Sequence, residues 1–79
     1  MDANESNAVK LLKALIASGC GTDETIPFAQ LQSIAEGAGL DGADQVNAVD
    51  CAHDRGWLAN GPRDATASIT SEGWDIGNA

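Results

Sequence analysis

Large apolar and basic side chains are both scarce in this chain. Leu, Ile, Val and Phe together make 15 of the 79 residues, Tyr is absent, and four Lys or Arg stand against twelve Asp or Glu, which gives a net charge of −8 with His neutral. So few large apolar residues with this much charge approach the composition of disordered chains. Order therefore depends on fourteen Ala, two Trp and their patterning. We expect one small domain over 1–79, with a thin core over about 7–74.

Long hydrophobic runs are also missing. The longest one, Ala14–Ala17, is far shorter than the ~20 apolar residues of a membrane span. Residues 1–7 contain two acidic and no basic side chains, a pattern that does not fit a signal peptide. The acidic charge also discourages contact with anionic membrane surfaces. The prediction is a cytoplasmic protein without membrane contact.

Cysteine and histidine are too few for a disulfide scaffold or a clustered metal site. Cys20 and Cys51 are the two cysteines, whereas small secreted scaffolds usually have four or more, so we predict two free thiols. Cys51 and His53, with Asp50 and Asp54 beside them, are the nearest approach to a set of metal ligands. Residues two apart on a helix face away from each other, and the sequence therefore predicts neither a metal nor a cofactor.

The sequence contains no recognisable catalytic constellation. His53 is the one His, and its neighbours do not form a triad pattern. Asp23 and Glu24 lie in a loop, where paired carboxylates are usually solvated or act as caps. The Gly37–Gly39 segment follows a helix and not a strand, so it does not fit a phosphate-binding loop. We predict no catalytic residues.

Apolar spacing and glycine positions predict the secondary structure. Apolar residues recur at spacings of three and four in three segments that end at glycines, which is typical of amphipathic helices. After Gly56 the apolar residues alternate, which is typical of strands. The expected elements are a helix over 7–18, a short strand at 25–26, a helix over 27–36, a helix over 41–55, strands over 57–59 and 66–70, and one last helical turn after Thr70.

The third helix carries most of the candidate chemistry. Asp41 is a good N-cap, and Asp44 favours the first turn through the helix macrodipole. The inward stripe expected on this helix consists of Val46, Val49 and Ala52 or His53. The outward positions expected are Asp44, Gln45, Asn47, Ala48, Cys51, Asp54 and Arg55.

This order of elements resembles the winged-helix variant of the helix-turn-helix, and two short segments carry the resemblance most clearly. The first is Asp54-Arg55-Gly56-Trp57-Leu58. The second, Ile69-Thr70-Ser71-Glu72-Gly73, is similar to the Leu-Thr-x-x-Gly close of many bacterial winged-helix domains, with Ile in place of Leu. The resemblance implies an α+β fold: a three-helix winged helix-turn-helix with a small antiparallel β-hairpin as its wing.

The resemblance also implies candidate DNA contacts. The motif would begin with a helix over 28–36, residues 40–55 would contain the recognition helix, and 60–64 would form the wing tip. Members of this superfamily most often place the recognition helix in the major groove of DNA. Gln45 and Asn47 suit adenine edges, Arg55 suits phosphate or guanine, and Arg63 suits a contact from the wing.

The charge balance favours protein over DNA as the partner. Asp44, Asp50 and Asp54 share the candidate recognition helix, whereas DNA binders gain affinity by neutralising phosphates. We therefore predict a non-catalytic binding module that acts through protein contacts, including self-association; the alternative is a DNA-binding transcriptional regulator. Trp74 and Ile76, beyond the core elements, are the candidate protein interface, although Trp74 is equally suited to cap the core.

Overall fold

The computed structural model describes residues 3–22, 24–61 and 65–79. Within these ranges the chain is an α+β protein, as predicted, with four helices and three strands. The helices are α1 (Ala3–Ala17), α2 (Phe28–Gly37), α3 (Gly42–Asp54) and α4 (Ser71–Gly77). The strands are β1 (Ile26–Pro27), β2 (Leu58–Asn60) and β3 (Thr66–Ile69). None of the helices in the described ranges is long and apolar enough to cross a membrane.

The two ends of the chain are more helical than the sequence predicts. α1 begins at Ala3 and not at Asn7, and its first turn contains Glu5, a charge that the helix macrodipole favours there. The single turn expected after Thr70 is the seven-residue helix α4. The other helices and the strands lie within about two residues of their predicted positions.

The three strands form one antiparallel sheet in the order β1-β3-β2. Ile26 lies opposite Ala67, and Leu58 lies opposite Ile69. β1 is an edge strand of only two residues and ends in Pro27, which has no N–H to donate. The N–H of the next residue, Phe28, donates to the main-chain oxygen of Ala65 at 2.9 Å. The start of α2 is therefore fixed beside the sheet.

The core is built around α1. Leu11, Leu12 and Leu15 are completely buried, and α1 contacts α2, α3 and α4. The sheet and the turn before it contribute further buried side chains, which are Ile26, Trp57, Leu58, Ala67 and Ile69. Among the described residues no polar or charged side chain is buried. Burial of apolar surface from all these elements is thus the main stabilising contribution to the fold.

The face of α3 that meets α1 differs from the prediction. Ala48, expected outside, and Ala52 are both 0% exposed, whereas Val46, expected inside, is 59% exposed. His53 is exposed as well. Val49, which was also expected inside, is half-buried against the core. The physical reason is close packing: two alanines four residues apart let α3 approach α1 more closely than valines would.

The N-terminus of α3 is also capped differently from the prediction. Asp41 occupies the N-cap position, but its side chain accepts no capping hydrogen bond. Its main-chain oxygen accepts from the N–H of Asp44 at 2.9 Å. Asp44 lies in the first turn, as expected.

A junction of four residues joins the end of α3 to the start of α4. Gly56 ends the helix with φ +77°. The Thr70 N–H donates to the Trp57 oxygen at 3.1 Å, and the Thr70 Oγ1–H donates to the Gly56 oxygen at 2.6 Å. The same Oγ1 accepts from the Gly73 N–H at 3.0 Å, so Thr70 caps the N-terminus of α4. We call Gly56, Trp57, Thr70 and Gly73 the Thr70 junction.

The packing of α3 on α1 predicts opposite outcomes for two substitutions. Ala48→Leu forces a larger side chain between the helices and should lower the free energy of unfolding by about 1–3 kcal/mol. Val46→Ser changes an exposed side chain and should alter it by less than about 0.5 kcal/mol. Urea denaturation followed by circular dichroism measures both. The reverse order would mean that the valine face of α3 meets α1.

The Thr70 junction predicts that Gly73 tolerates no side chain. A Cβ at Gly73 would overlap the main-chain carbonyl of Trp57, so Gly73→Ala should destabilise the protein by about 1–3 kcal/mol. Gly37→Ala is the matched control, since Gly37 also lies in a helix but its Cβ would meet open space. It should be neutral or stabilising by up to about 1 kcal/mol. Equal urea midpoints for the two variants would contradict this account of the junction.

Candidate functional site

An apolar groove lies between α2 and α3. It encloses about 180 Å³ and is lined by Phe28, Leu31, Gln32, Val46, Val49 and Asp50. Phe28 is 39% and Val46 is 59% exposed, and they are the exposed large apolar side chains of the described residues. Both therefore belong to one site, which we call the α2–α3 groove.

The local helix geometry explains how the groove is assembled. Val46, Val49 and Asp50 are three and four positions apart and so share one face of α3. Phe28 and Leu31 share a face of α2 in the same way. Leu31 is only 2% exposed and forms the floor, while Phe28 and Val46 stand at the sides. The groove thus has an apolar floor, apolar sides and a carboxylate at one edge.

The size of the groove indicates what it can hold. Sites for small molecules and cofactors usually measure about 300–1,000 Å³, and this groove encloses about 180 Å³. It is large enough for one or two apolar side chains. A small pocket that can receive an apolar side chain and has polar groups at its edge is typical of the central contacts in protein–protein interfaces.

A second depression lies on the neighbouring side of α3, towards the start of α1. It measures about 580 Å³ and is lined by Asn4, Asn47, Asp50, Cys51, His53, Asp54 and Arg55. We call it the polar recess. Asp50 lines both sites, so the groove and the recess form one continuous surface along α3.

The polar recess brings acidic and basic groups together without burying them. Arg55 Nη2 lies 3.1 Å from Glu5 Oε2 in an ion pair between α3 and α1. Each partner sits near the helix end where the macrodipole favours its charge. In the described part of the chain no His, Cys, Asp or Glu cluster is arranged to hold a metal ion. The charged side chains that line the recess are exposed and so accessible to a partner.

The structure brings two of the four candidate DNA contacts together. Asn47 and Arg55 both line the polar recess. Gln45 is half-buried, and its Nε2 donates to the main-chain oxygen of Leu40 at 2.9 Å. Arg63 lies outside the described residues. The side chain of Gln45 is thus engaged within the protein, and it does not share a site with Asn47.

The described cations are spread along the molecule. The Arg55 guanidinium contacts Glu5 at one end of α1. The Lys13 ammonium donates to the main-chain oxygen of Ala79 at 3.3 Å, eight residues further along α1, which is about 12 Å on a helix. Of the described Lys and Arg residues, Arg55 alone lines the polar recess.

The candidate interface residues Trp74 and Ile76 pack inwards. Both are half-buried and contact the apolar core. The Trp74 N–H donates to the Thr70 oxygen at 2.9 Å within the first turn of α4. Trp74 thus contacts the core and also keeps part of its surface exposed.

Phe28 and Val46 are the site residues that sequence reasoning misses. The sequence predicts an inward position for Val46, because apolar residues at helical spacing are usually core, and it assigns no site role to Phe28. Ala48 lies four residues before Ala52, which already belongs to the expected inward stripe, and this alanine pair is the signal that the sequence offers. With that pair facing α1, Val46 has to face outwards.

Comparison of this chain with known protein families, with curated proteins and with solved structures gives no match. The geometry of the α2–α3 groove and the polar recess is therefore what bears on function.

The two thiols are free, as predicted, and differ in their surroundings. Cys20 is buried, and Cys51 is half-buried at the polar recess. Burial raises the pKa of the Cys20 thiol above its ordinary value, and the nearby charge of Glu24 raises it further. Because the thiolate is the reactive form, both accessibility and pKa make Cys20 slow to react.

We expect a thiol-specific reagent such as DTNB to distinguish the two cysteines in the native protein. Cys51 should be modified first and Cys20 much more slowly, because its thiolate is disfavoured and covered. The Cys51→Ser and Cys20→Ser variants assign the two phases. In urea both thiols should react at similar rates. Rapid native modification of Cys20 would contradict its placement in the core.

Proposed function

We propose that this chain is a small, non-catalytic winged-helix binding module that acts through protein contacts. In this proposal the α2–α3 groove receives an apolar side chain from a short segment of a partner protein. The convergence of Phe28 and Val46, both exposed, on one groove carries the proposal. Free thiols suit a reducing compartment, and we place the module in the cytoplasm.

The energetics of the groove support binding of an apolar side chain. Removing apolar surface from water stabilises a complex by about 25 cal/mol per Å². Binding energy concentrates where an apolar side chain fills a pocket surrounded by polar groups that exclude water. Leu31 supplies the floor of such a pocket, and Gln32 and Asp50 supply polar edges.

The winged-helix part of the proposal rests on the order of elements and on the Thr70 junction. The two segments that carry the resemblance contact each other there, because Thr70 bonds to both Gly56 and Trp57. In that architecture α3 would occupy the place of the recognition helix. The α2–α3 groove would then lie on the functional side of the module.

DNA binding through Gln45, Asn47, Arg55 and Arg63 is the alternative. The internal hydrogen bond of Gln45 and the ion pair of Arg55 both compete with contacts to DNA. Asp50 and Asp54 lie beside Arg55 in the polar recess, where their charges would oppose phosphate. The same set of measurements can test both alternatives.

A selection from displayed random peptides of about 14 residues, roughly four helical turns, tests the groove directly. Peptides enriched on the wild-type protein should bind Val46→Ser about tenfold more weakly, because a buried valine contributes on the order of 1.5 kcal/mol. Gln30→Ser is the matched control, since Gln30 is exposed on α2 and lies two positions from Phe28, on a different face. Its affinity for the peptides should be unchanged.

Titration with mixed-sequence duplex DNA at low salt is the second arm. We expect no binding. Tight binding that weakens steeply with salt, together with peptides that bind Val46→Ser as well as the wild type, would overturn the proposal and favour the DNA-binding alternative.

A further inference from the structure

The rim of the α2–α3 groove is acidic. Asp50 lines the groove itself. Asp54 lies one helical turn beyond Asp50 on α3, and Glu36 lies one turn beyond Gln32 on α2; both are exposed. None of the described residues that line the groove is Lys or Arg. An apolar floor is thus bordered by the Asp50 carboxylate, with Asp54 and Glu36 further along the two helices. Arg55, which follows Asp54, is ion-paired with Glu5.

This rim selects the charge of the partner. The whole chain carries a net charge of −8, which adds a long-range attraction for cations. A second copy bound symmetrically through the groove would place Asp50 and its neighbours against the same acidic rim, because a two-fold interface uses one patch twice. Like charges across an interface oppose association. Positive side chains on the partner complement the rim.

The surrounding fold selects the shape of the partner. Addition of a partner strand needs an exposed sheet edge. Here the edge strands have two and three residues, and the first ends in Pro27. The groove instead runs between two helices, and an amphipathic helix can place side chains three and four positions apart into such a groove.

We propose that the α2–α3 groove binds a basic amphipathic helix of a partner protein. Apolar side chains of that helix lie on Leu31 between Phe28 and Val46, and its Lys or Arg side chains face Asp50, Asp54 and Glu36. This inference rests on the proposed function and adds the chemical class of the partner.

Three synthetic helical peptides of about 14 residues test the inference. They share one apolar face with residues at spacings of three and four, and their flanking positions are all Lys, all Gln or all Glu. Binding is measured by fluorescence anisotropy of a labelled peptide. The Lys peptide should bind most tightly and the Glu peptide least. The ratio of the Lys peptide's affinity to that of the Gln peptide should fall as the salt concentration rises from about 0.01 M to 1 M. Over that range the screening length falls from about 30 Å to about 3 Å.

Charge-neutralising variants locate the preference. Asp50→Asn should weaken binding of the Lys peptide about two- to fivefold, the effect of losing one exposed charge pair, and should weaken the Gln peptide by a smaller factor. Asp75→Asn removes the same charge from an exposed position on α4. It should change the affinity for the Lys peptide and for the Gln peptide by less than about twofold. Val46→Ser should weaken both peptides alike, because they share the apolar face.

The outcomes separate this inference from the proposed function. Peptides that bind in a Val46-dependent way but with equal affinity, or with the Glu peptide tightest, would overturn the basic partner and leave the groove as a protein-binding site. Peptides whose binding is unaffected by Val46→Ser would overturn both proposals. Sedimentation equilibrium tests whether a second copy of the chain occupies the groove. A dimer that Val46→Ser dissociates would assign the groove to self-association and overturn the proposal of a basic helix as the partner.

Discussion

The Thr70 junction is the constraint on which the arrangement of the second half of the chain depends. The Thr70 hydroxyl donates to the main-chain oxygen of Gly56, just beyond the end of α3, and accepts from the N–H of Gly73 in the first turn of α4. Each such bond contributes about 0.5–1.5 kcal/mol net, but their joint effect is geometric. They hold the start of β2, the end of β3 and the start of α4 at one point. The missing side chain of Gly73 lets α4 lie directly on the main chain of Trp57, so Trp74 reaches the core.

A second constraint follows from the scarcity of large apolar residues. With few of them available, the contact between α1 and α3 uses Ala48 and Ala52, which bring the helices close together and fill the interface with little volume. With this packing Val46 faces outwards, while Val49 stays half-buried against the core. The packing of Ala48 and Ala52 in the core therefore leaves Val46 exposed beside Phe28. The α2–α3 groove is a direct consequence of how the core is filled.

Local signals in the sequence predict the elements of this fold well, and long-range contacts explain where they fail. Gly19 and Gly56 have positive φ at the ends of helices, and Thr70 caps α4. These features can be predicted from the sequence because each depends on a few adjacent residues. The prediction of the inward face of α3 is wrong at Ala48 and Val46. Apolar periodicity alone cannot distinguish a buried alanine stripe from a buried valine stripe until the facing helix is known.

The candidate site shows the same division between local and distant information. Asn47 and Arg55 share a recess because their spacing on one helix places them on adjoining faces, which the sequence already indicates. The partner of Arg55 is Glu5, fifty positions away, and no local pattern identifies it. Nor does any local pattern show that Phe28, at the start of α2, and Val46, in α3, line one groove.

The proline at the end of β1 has a consequence for self-assembly into fibres. Ordered aggregates grow when an unpaired strand edge templates the next chain. Here one edge is two residues long and ends without a donor, and the opposite edge has three residues. Such an edge gives an incoming chain almost no ladder to extend. The protein therefore displays an apolar groove to solvent while its sheet edges offer little template for the addition of another strand.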